Sequence, residues 1–199
     1  SNDVVEEWFI DKHLYHFSPR TLARMIEMAG FEIVEGPDRS DRDNLLIVAR
    51  KSSAPAPSFG HDHREAERAE ELIATYVATR ARNLMALTAV AADIASMKQR
   101  RVVMWGAGRI FDSLVVHGNF DARALTLLID KHLKQHVPER HGCEVHAPEA
   151  LEKADAGVVI VMSRSFAPEI VDEARRLAPS AEILLYSDLL AQARTRMAA

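Results

Sequence analysis

From residue 101 to the end, short runs of consecutive apolar residues alternate with stretches whose apolar residues recur every three or four positions. The runs at 102–105, 125–129, 158–162 and 182–186 have strand length and are rich in Val, Ile and Leu. Helical spacing between and after them places helices at 109–117, 148–153, 168–177 and 189–197. Strands without polar alternation, separated by helices, predict an α/β fold. Its Rossmann-like parallel sheet has about four strands, with helices on both faces.

Residues 61 to about 98 keep a helical pattern with no proline or glycine. The first turns are charged, and the second half is apolar nearly all round, with Leu84, Met85, Leu87, Val90, Ile94 and Met97. Ile73, Val77, Leu84, Leu87 and Ile94 follow a spacing near that of a coiled coil, interrupted by Arg80. Two readings stand for this segment: a long helix sandwiched between domains, or a dimerising helix.

The opening block, 1–51, is different. Ser18-Pro19 reads as a hydroxyl N-cap with proline at the first helical position, and Leu22, Ala23, Met25, Ile26 and Ala29 form a helical face that Gly30 ends. Strands are expected at 31–34 and 45–49, the second fully buried, around a turn-rich loop at 36–41. Residues 3–10 suit helix or strand. So few elements cannot cover both faces of a sheet, which predicts a partial α/β segment of a larger domain. Residues 52–60 form a Ser/Pro/Ala linker. The expected organisation is therefore 1–51, a linker at 52–60, a connecting helix at 61–98 and a Rossmann-like domain at 99–199.

Composition works mainly by exclusion. A net charge of −4 gives no basic footprint for nucleic acid. No apolar run approaches the roughly 18 residues of a membrane span, and no secretory signal opens the sequence. The single cysteine, Cys143, excludes an internal disulfide and points to a reducing cytoplasm. Ser1-Asn2 reads as a cloning remnant, so the natural chain is expected to begin further upstream.

Chemistry concentrates at Trp105-Gly106-Ala107-Gly108-Arg109. A strand meeting a Gly-x-Gly turn and then a helix lets backbone approach a ligand and offers unpaired N–H groups to an anion. Asp130 ends the next strand, where dinucleotide folds place a carboxylate against ribose hydroxyls. Gly106, Gly108, Arg109 and Asp130 are the candidate ligand-binding residues, joined by Ser163, which with Ser165 follows the third strand at the same edge. Phe111 takes the place of the third glycine of Gly-x-Gly-x-x-Gly, which counts against a nicotinamide reductase. His132, His136, His141, Cys143 and His146 carry metal-ligating groups, but their spacing matches no closed zinc pattern, so no metal is expected. The loop they form, like His61-Asp62-His63, is expected to be solvated. His13 and His16 flank Leu14-Tyr15; an imidazole there suits a general base or a purely structural role.

His13-Leu14-Tyr15-His16-Phe17-Ser18-Pro19-Arg20-Thr21-Leu22, continuing through Ala29-Gly30-Phe31-Glu32-Ile33-Val34 to Val48-Ala49-Arg50-Lys51, resembles the C-terminal end of a class I S-adenosylmethionine-dependent methyltransferase domain. The remainder, from the long helix through Gly106-Ala107-Gly108 to Asp130, is similar to the Rossmann-like C-terminal domain of the sugar C-methyltransferases. The resemblance implies an acceptor held between the two domains, with His13 as general base. The S-adenosylmethionine site of the parent enzyme belongs to strands that this chain does not contain, so the fragment is expected to be inactive alone. Lys12-His13 stands where the sugar enzymes usually have Glu-His. The expected reading is a C-terminal methyltransferase fragment acting on a small molecule, nucleotide sugars among the candidates, with a homodimer of this chain as its assembly. The alternative is a non-catalytic nucleotide-binding or oligomerisation module.

Overall fold

The computed structural model describes residues 3–9, 14–37 and 44–198, the side chain of Lys98 apart. The chain divides into two compact units, residues 7–71 on one side and residues 1–6 with 72–199 on the other.

In the 7–71 unit, helix α1 (Pro19–Met28) starts at a reciprocal cap. The Thr21 amide donates to Ser18 Oγ at 3.1 Å and the Ser18 amide donates to Thr21 Oγ1 at 2.8 Å, so two orphan donors of the first turn are satisfied. Strands β1 (Phe31–Glu35) and β2 (Val48–Lys51) pair antiparallel, Phe31 opposite Lys51, with a bulge between Ile33 and Glu35. The strand expected at 45–49 therefore lies slightly later, and it is not fully buried: Val48 is exposed and Ala49 half-buried. A two-stranded sheet has no third strand or second layer to bury it. Arg20 and Arg24 both pair with Asp62, at 2.6 and 3.0 Å, and Arg24 lies over the Phe59 ring, which ties α1 to the segment ahead of the next helix. Burial opposes ionisation of Asp62, but the Glu65 amide and the two guanidiniums outweigh it and hold the carboxyl below its ordinary range. Among the described residues of this unit, none is buried.

Helix α2 (His63–Ser96) begins in that unit and continues into the other. There, a six-stranded mixed sheet has the order β5-β6-β4-β3-β7-β8. Its strands are β3 (Val102–Trp105), β4 (Leu127–Ile129), β5 (Glu139–Arg140), β6 (Cys143–His146), β7 (Val158–Val161) and β8 (Glu182–Leu185). Every pairing is parallel except β5 with β6. Helices α3 (Arg109–Gly118), α4 (Ala167–Leu177) and α5 (Tyr186–Ala198) complete the unit, and 148–153 is a 3-10 turn rather than an α-helix.

The sheet thus exceeds the four strands expected, because the histidine-rich loop holds a hairpin. His141 (φ 50°) and Gly142 (φ 79°) supply the two positive-φ positions that a two-residue hairpin turn requires. In β6 only Val145 is buried, so the segment lacks the apolar run by which the other strands are recognised.

Alternate residues of the central strands face opposite ways, which is why these strands are apolar throughout. Val102, Met104, Leu128, Val158 and Ile160 meet residues of α2, α3 and α5, including Leu87, Val90, Leu114 and Leu190. Val103, Trp105, Ile129 and Val159 meet Leu151, Ala174 and Leu177 on the other face. A Cβ on Gly118 would stand 2.9 Å from the Leu87 carbonyl oxygen, so α3 and α2 touch backbone to backbone there.

Residues 3–6 belong to this core. Val5 is fully buried in it, a gain of about 1.5–3 kcal/mol over exposure. Asn83 Nδ2 donates to the Val4 carbonyl at 2.8 Å, the Tyr76 hydroxyl to the Glu6 carbonyl at 2.9 Å, and the Tyr186 hydroxyl to the Asp3 carbonyl at 3.4 Å. Burial, with the nearby Asp3 and Glu6 charges, pushes the Tyr186 phenol far above its usual range. Among the described residues no helix is long and apolar enough to cross a membrane.

Candidate functional site

From β3 the chain builds outward through β4 and β6, then returns to the other side of β3 with β7. That reversal makes the carboxyl ends of β3 and β7 a topological switch point, the position where open α/β sheets receive ligands. The turn after β3 and the loop after β7 flank it.

Gly106 has φ 121°, and a Cβ on it would come within 3.1–3.2 Å of Met162, so this position requires glycine on two counts. Its amide donates to the Ile129 carbonyl at 2.7 Å, extending the ladder to β4. Gly108 differs. It is the N-cap of α3, has an ordinary φ of −86°, and nothing lies within 4 Å of where its Cβ would be. The first turn of α3 therefore opens onto free space at the edge of the sheet, with no side chain capping it. Arg109 is exposed at the first helical position. Phe111 is fully buried and its ring meets His141 edge-on at 5.7 Å, so the third-glycine position serves core packing instead of close helix approach.

Asp130 stands at the end of β4, but its carboxylate works on the protein itself. Oδ2 accepts from the Ala107 amide at 3.0 Å, and Oδ1 accepts from the amides of His132 and Leu133 at 3.0 and 2.8 Å. It fastens the Gly-x-Gly turn to the loop after β4. Ser163 Oγ accepts from the Phe166 amide at 3.3 Å and shapes the entry to α4. Gly106, Gly108, Arg109, Asp130 and Ser163 thus all lie at the carboxyl edge of one sheet.

No family model matches this chain. No curated protein matches it either.

His13 lies outside the described residues. His16 is exposed, its ring 4.7 Å from that of Phe9. Among the described residues no three His, Cys, Asp or Glu side chains converge as a metal site would need. In the histidine-rich stretch, His141 Nε2 lies 2.8 Å from Asp112 Oδ1, and Arg140 pairs with the other oxygen of the same carboxylate. These contacts pin the β5–β6 hairpin to α3. Cys143 Sγ donates to the Ala122 carbonyl at 2.9 Å, and burial pushes its thiol up.

One charged group after β7 is missed by motif reading. Arg164, in the loop after β7, donates to Glu6 Oε2 at 2.8 Å and faces Asp3 Oδ1 at 3.7 Å. Its partners lie 158 and 161 residues away, so no local spacing could reveal it.

Proposed function

We propose that this chain is the acceptor-binding portion of an S-adenosylmethionine-dependent small-molecule methyltransferase, with residues 7–51 supplying the last helix and hairpin of the methyl-transfer domain. The observation that carries this reading is the 7–71 unit, which has no buried residue among those described. Met25, Met28, Val34 and Val48 are exposed on a capped helix and a two-stranded sheet, and Leu14 and Leu46 are exposed in the segments leading into α1 and β2. Well-formed elements without a core are what a piece of a larger sheet looks like, because an apolar face needs a second layer. The missing layer is supplied by further strands, on this polypeptide or another.

S-adenosylmethionine, when bound, supplies an electrophilic methyl group. Strands β1 and β2 do not fit it, since neither is followed by a Gly-x-Gly turn. In this reading the 72–199 unit is a Rossmann-like acceptor domain. The open first turn of α3, at Gly108 and Arg109, receives the phosphate of a nucleotide-linked acceptor. Asp130 acts indirectly, by setting the Gly-x-Gly turn, and His13 removes a proton from the acceptor.

Titration with nucleoside diphosphates and nucleotide sugars tests the acceptor half. Saturable binding is expected, and Gly108→Trp, which fills open space without touching the core, is expected to abolish it. For the catalytic half, a chain extended upstream until it contains a glycine-rich strand–turn–helix is expected to bind S-adenosylmethionine, while residues 1–199 alone bind none. An extended chain that binds no cofactor would end the reading. A non-catalytic assembly module is the second reading, favoured by Leu72, Ile73, Val77 and Met85, which α2 leaves exposed.

A further inference from the structure

Helix α2 carries a second pattern besides the residues it packs on its own sheet. Ala66, Glu70, Ile73, Val77, Arg80 and Leu84 follow one another at alternating steps of four and three residues, the spacing of a coiled-coil seam. Continued at the same steps, the seam reaches Leu87, Ala91 and Ile94, all buried in the core of the chain. Towards the start of the helix that cover runs out. Leu84 is partly buried, whereas Ile73 and Val77 are 46% and 56% exposed. One seam thus begins in solvent and ends in the core, all within a single unbroken helix.

The order of charges along the uncovered part says which partner fits it. Glu70 stands three residues before Ile73 and Arg80 three after Val77, so the four are arranged symmetrically about residue 75. A second copy of α2 running the opposite way sets Ile73 against the partner's Val77, Glu70 against the partner's Arg80 and Ala66 against the partner's Leu84. Twofold symmetry makes each of these pairings occur twice. A copy running the same way sets Glu70 on Glu70 and Arg80 on Arg80, like charge on like. Arg80 also has an interaction within its own chain, and the five N–H donors of a guanidinium let it serve a further carboxylate. Beside the seam stand Ala74 and Ala81, both exposed, whose short side chains let a second helix come close.

We propose that the exposed part of α2 is a self-recognition surface, which pairs antiparallel with α2 of a second copy of this chain about residue 75. Ile73 and Val77 supply the apolar contact. The two Glu70–Arg80 pairs set direction and register, as polar residues at seam positions do in coiled coils. From 66 to 84 the seam runs about 27 Å at roughly 1.5 Å per residue, a short contact, so the dimer is weak and its copies exchange. This inference goes beyond the methyl-transfer reading and does not depend on it, since it uses α2 alone.

Disulfide trapping in the full 199-residue chain reads the register directly. The background is Cys143→Ser, which removes the one native thiol and keeps a donor for the Ala122 carbonyl. Ile73→Cys and Val77→Cys are made separately in that background, one of them with a size tag, then mixed in equal amounts and equilibrated in a glutathione redox buffer. Antiparallel pairing about residue 75 predicts that the mixed disulfide far exceeds the half share that random pairing gives. Same-variant disulfides in excess would show a parallel pair, and a random share would show unspecific association; either overturns the proposal. So would the absence of any disulfide between chains whose melting curves show them folded, which would leave the face to another occupant. Sedimentation equilibrium tests the charges without new thiols. Glu70→Arg is expected to weaken the dimer about tenfold, because two attractive pairs become repulsive. Glu71→Arg makes the same net charge change one position off the seam and should leave the dimer near the parent. Equal weakening by both would show bulk charge at work and sink the assignment. None of these outcomes touches the reading of residues 7–51, which stands or falls on S-adenosylmethionine binding by the extended chain.

Discussion

Asp130 shows how a residue in a ligand-binding position can be engaged by its own backbone. Three amides converge on its carboxylate, from Ala107, His132 and Leu133. Asp130→Ala leaves those donors without their acceptor, at a cost of about 1–3 kcal/mol. Urea unfolding is expected to show that loss, with the slope unchanged, even when no nucleotide is present. A variant as stable as the parent would mean that the carboxylate is free for a ribose after all. The place of Asp130 at a strand end was legible in the sequence because the strand is an unbroken apolar run. Its occupation was not, because Ala107 lies 23 residues upstream and only the folded turn brings the amide round. The same limit applies more strongly to Arg164, whose carboxylate partners sit at the other end of the chain.

At the scale of elements, apolar continuity made β3, β4, β7 and β8 readable. Strand β6 escaped because it lies at the rim, where β5 covers it only with two residues and a single side chain, Val145, faces the core. β2 was over-read for the converse reason: Leu45-Leu46-Ile47-Val48-Ala49 has the composition of a covered strand but no cover in the 7–71 unit. Packing between elements is where substitution tells most. Gly118 brings α3 against the Leu87 carbonyl, so Gly118→Ala forces the two helices apart. A loss of about 1–3 kcal/mol is expected, read as a lower melting temperature. Gly108→Ala, facing open space, should melt like the parent. Equal melting of both variants would disprove the close helix contact.

At the scale of the whole molecule, a well-covered sheet and a coreless unit share one polypeptide. The coreless unit should behave as an adhesive surface: exposed Leu14, Leu46, Met25 and Val34 invite association. Sedimentation velocity is expected to show mass rising with concentration, and a hydrophobic dye should light up on the isolated chain. A monomer that stays dark at about 100 μM, where weak self-association would register, would mean that the unit hides its apolar face in a way that residues 7–71 do not reveal. The separation of these two behaviours was partly visible in the sequence. The Ser/Pro/Ala stretch at 52–60 and the sparse elements before it marked a boundary, whereas nothing local tied residues 3–6 to the far side of that boundary.

That tie has a consequence for how the molecule is made. The Tyr186 hydroxyl meets the Asp3 carbonyl across 183 positions of sequence. On the ribosome, at roughly 5–20 residues per second, residues 3–6 emerge about 10–40 s before the tyrosine that receives them. During that wait the socket of Val5 is incomplete, and its side chain stays open to other contacts until the helix that begins at Tyr186 is made. Synthesis order and docking order are therefore reversed for this segment: residues 3–6 are made early and find their place late.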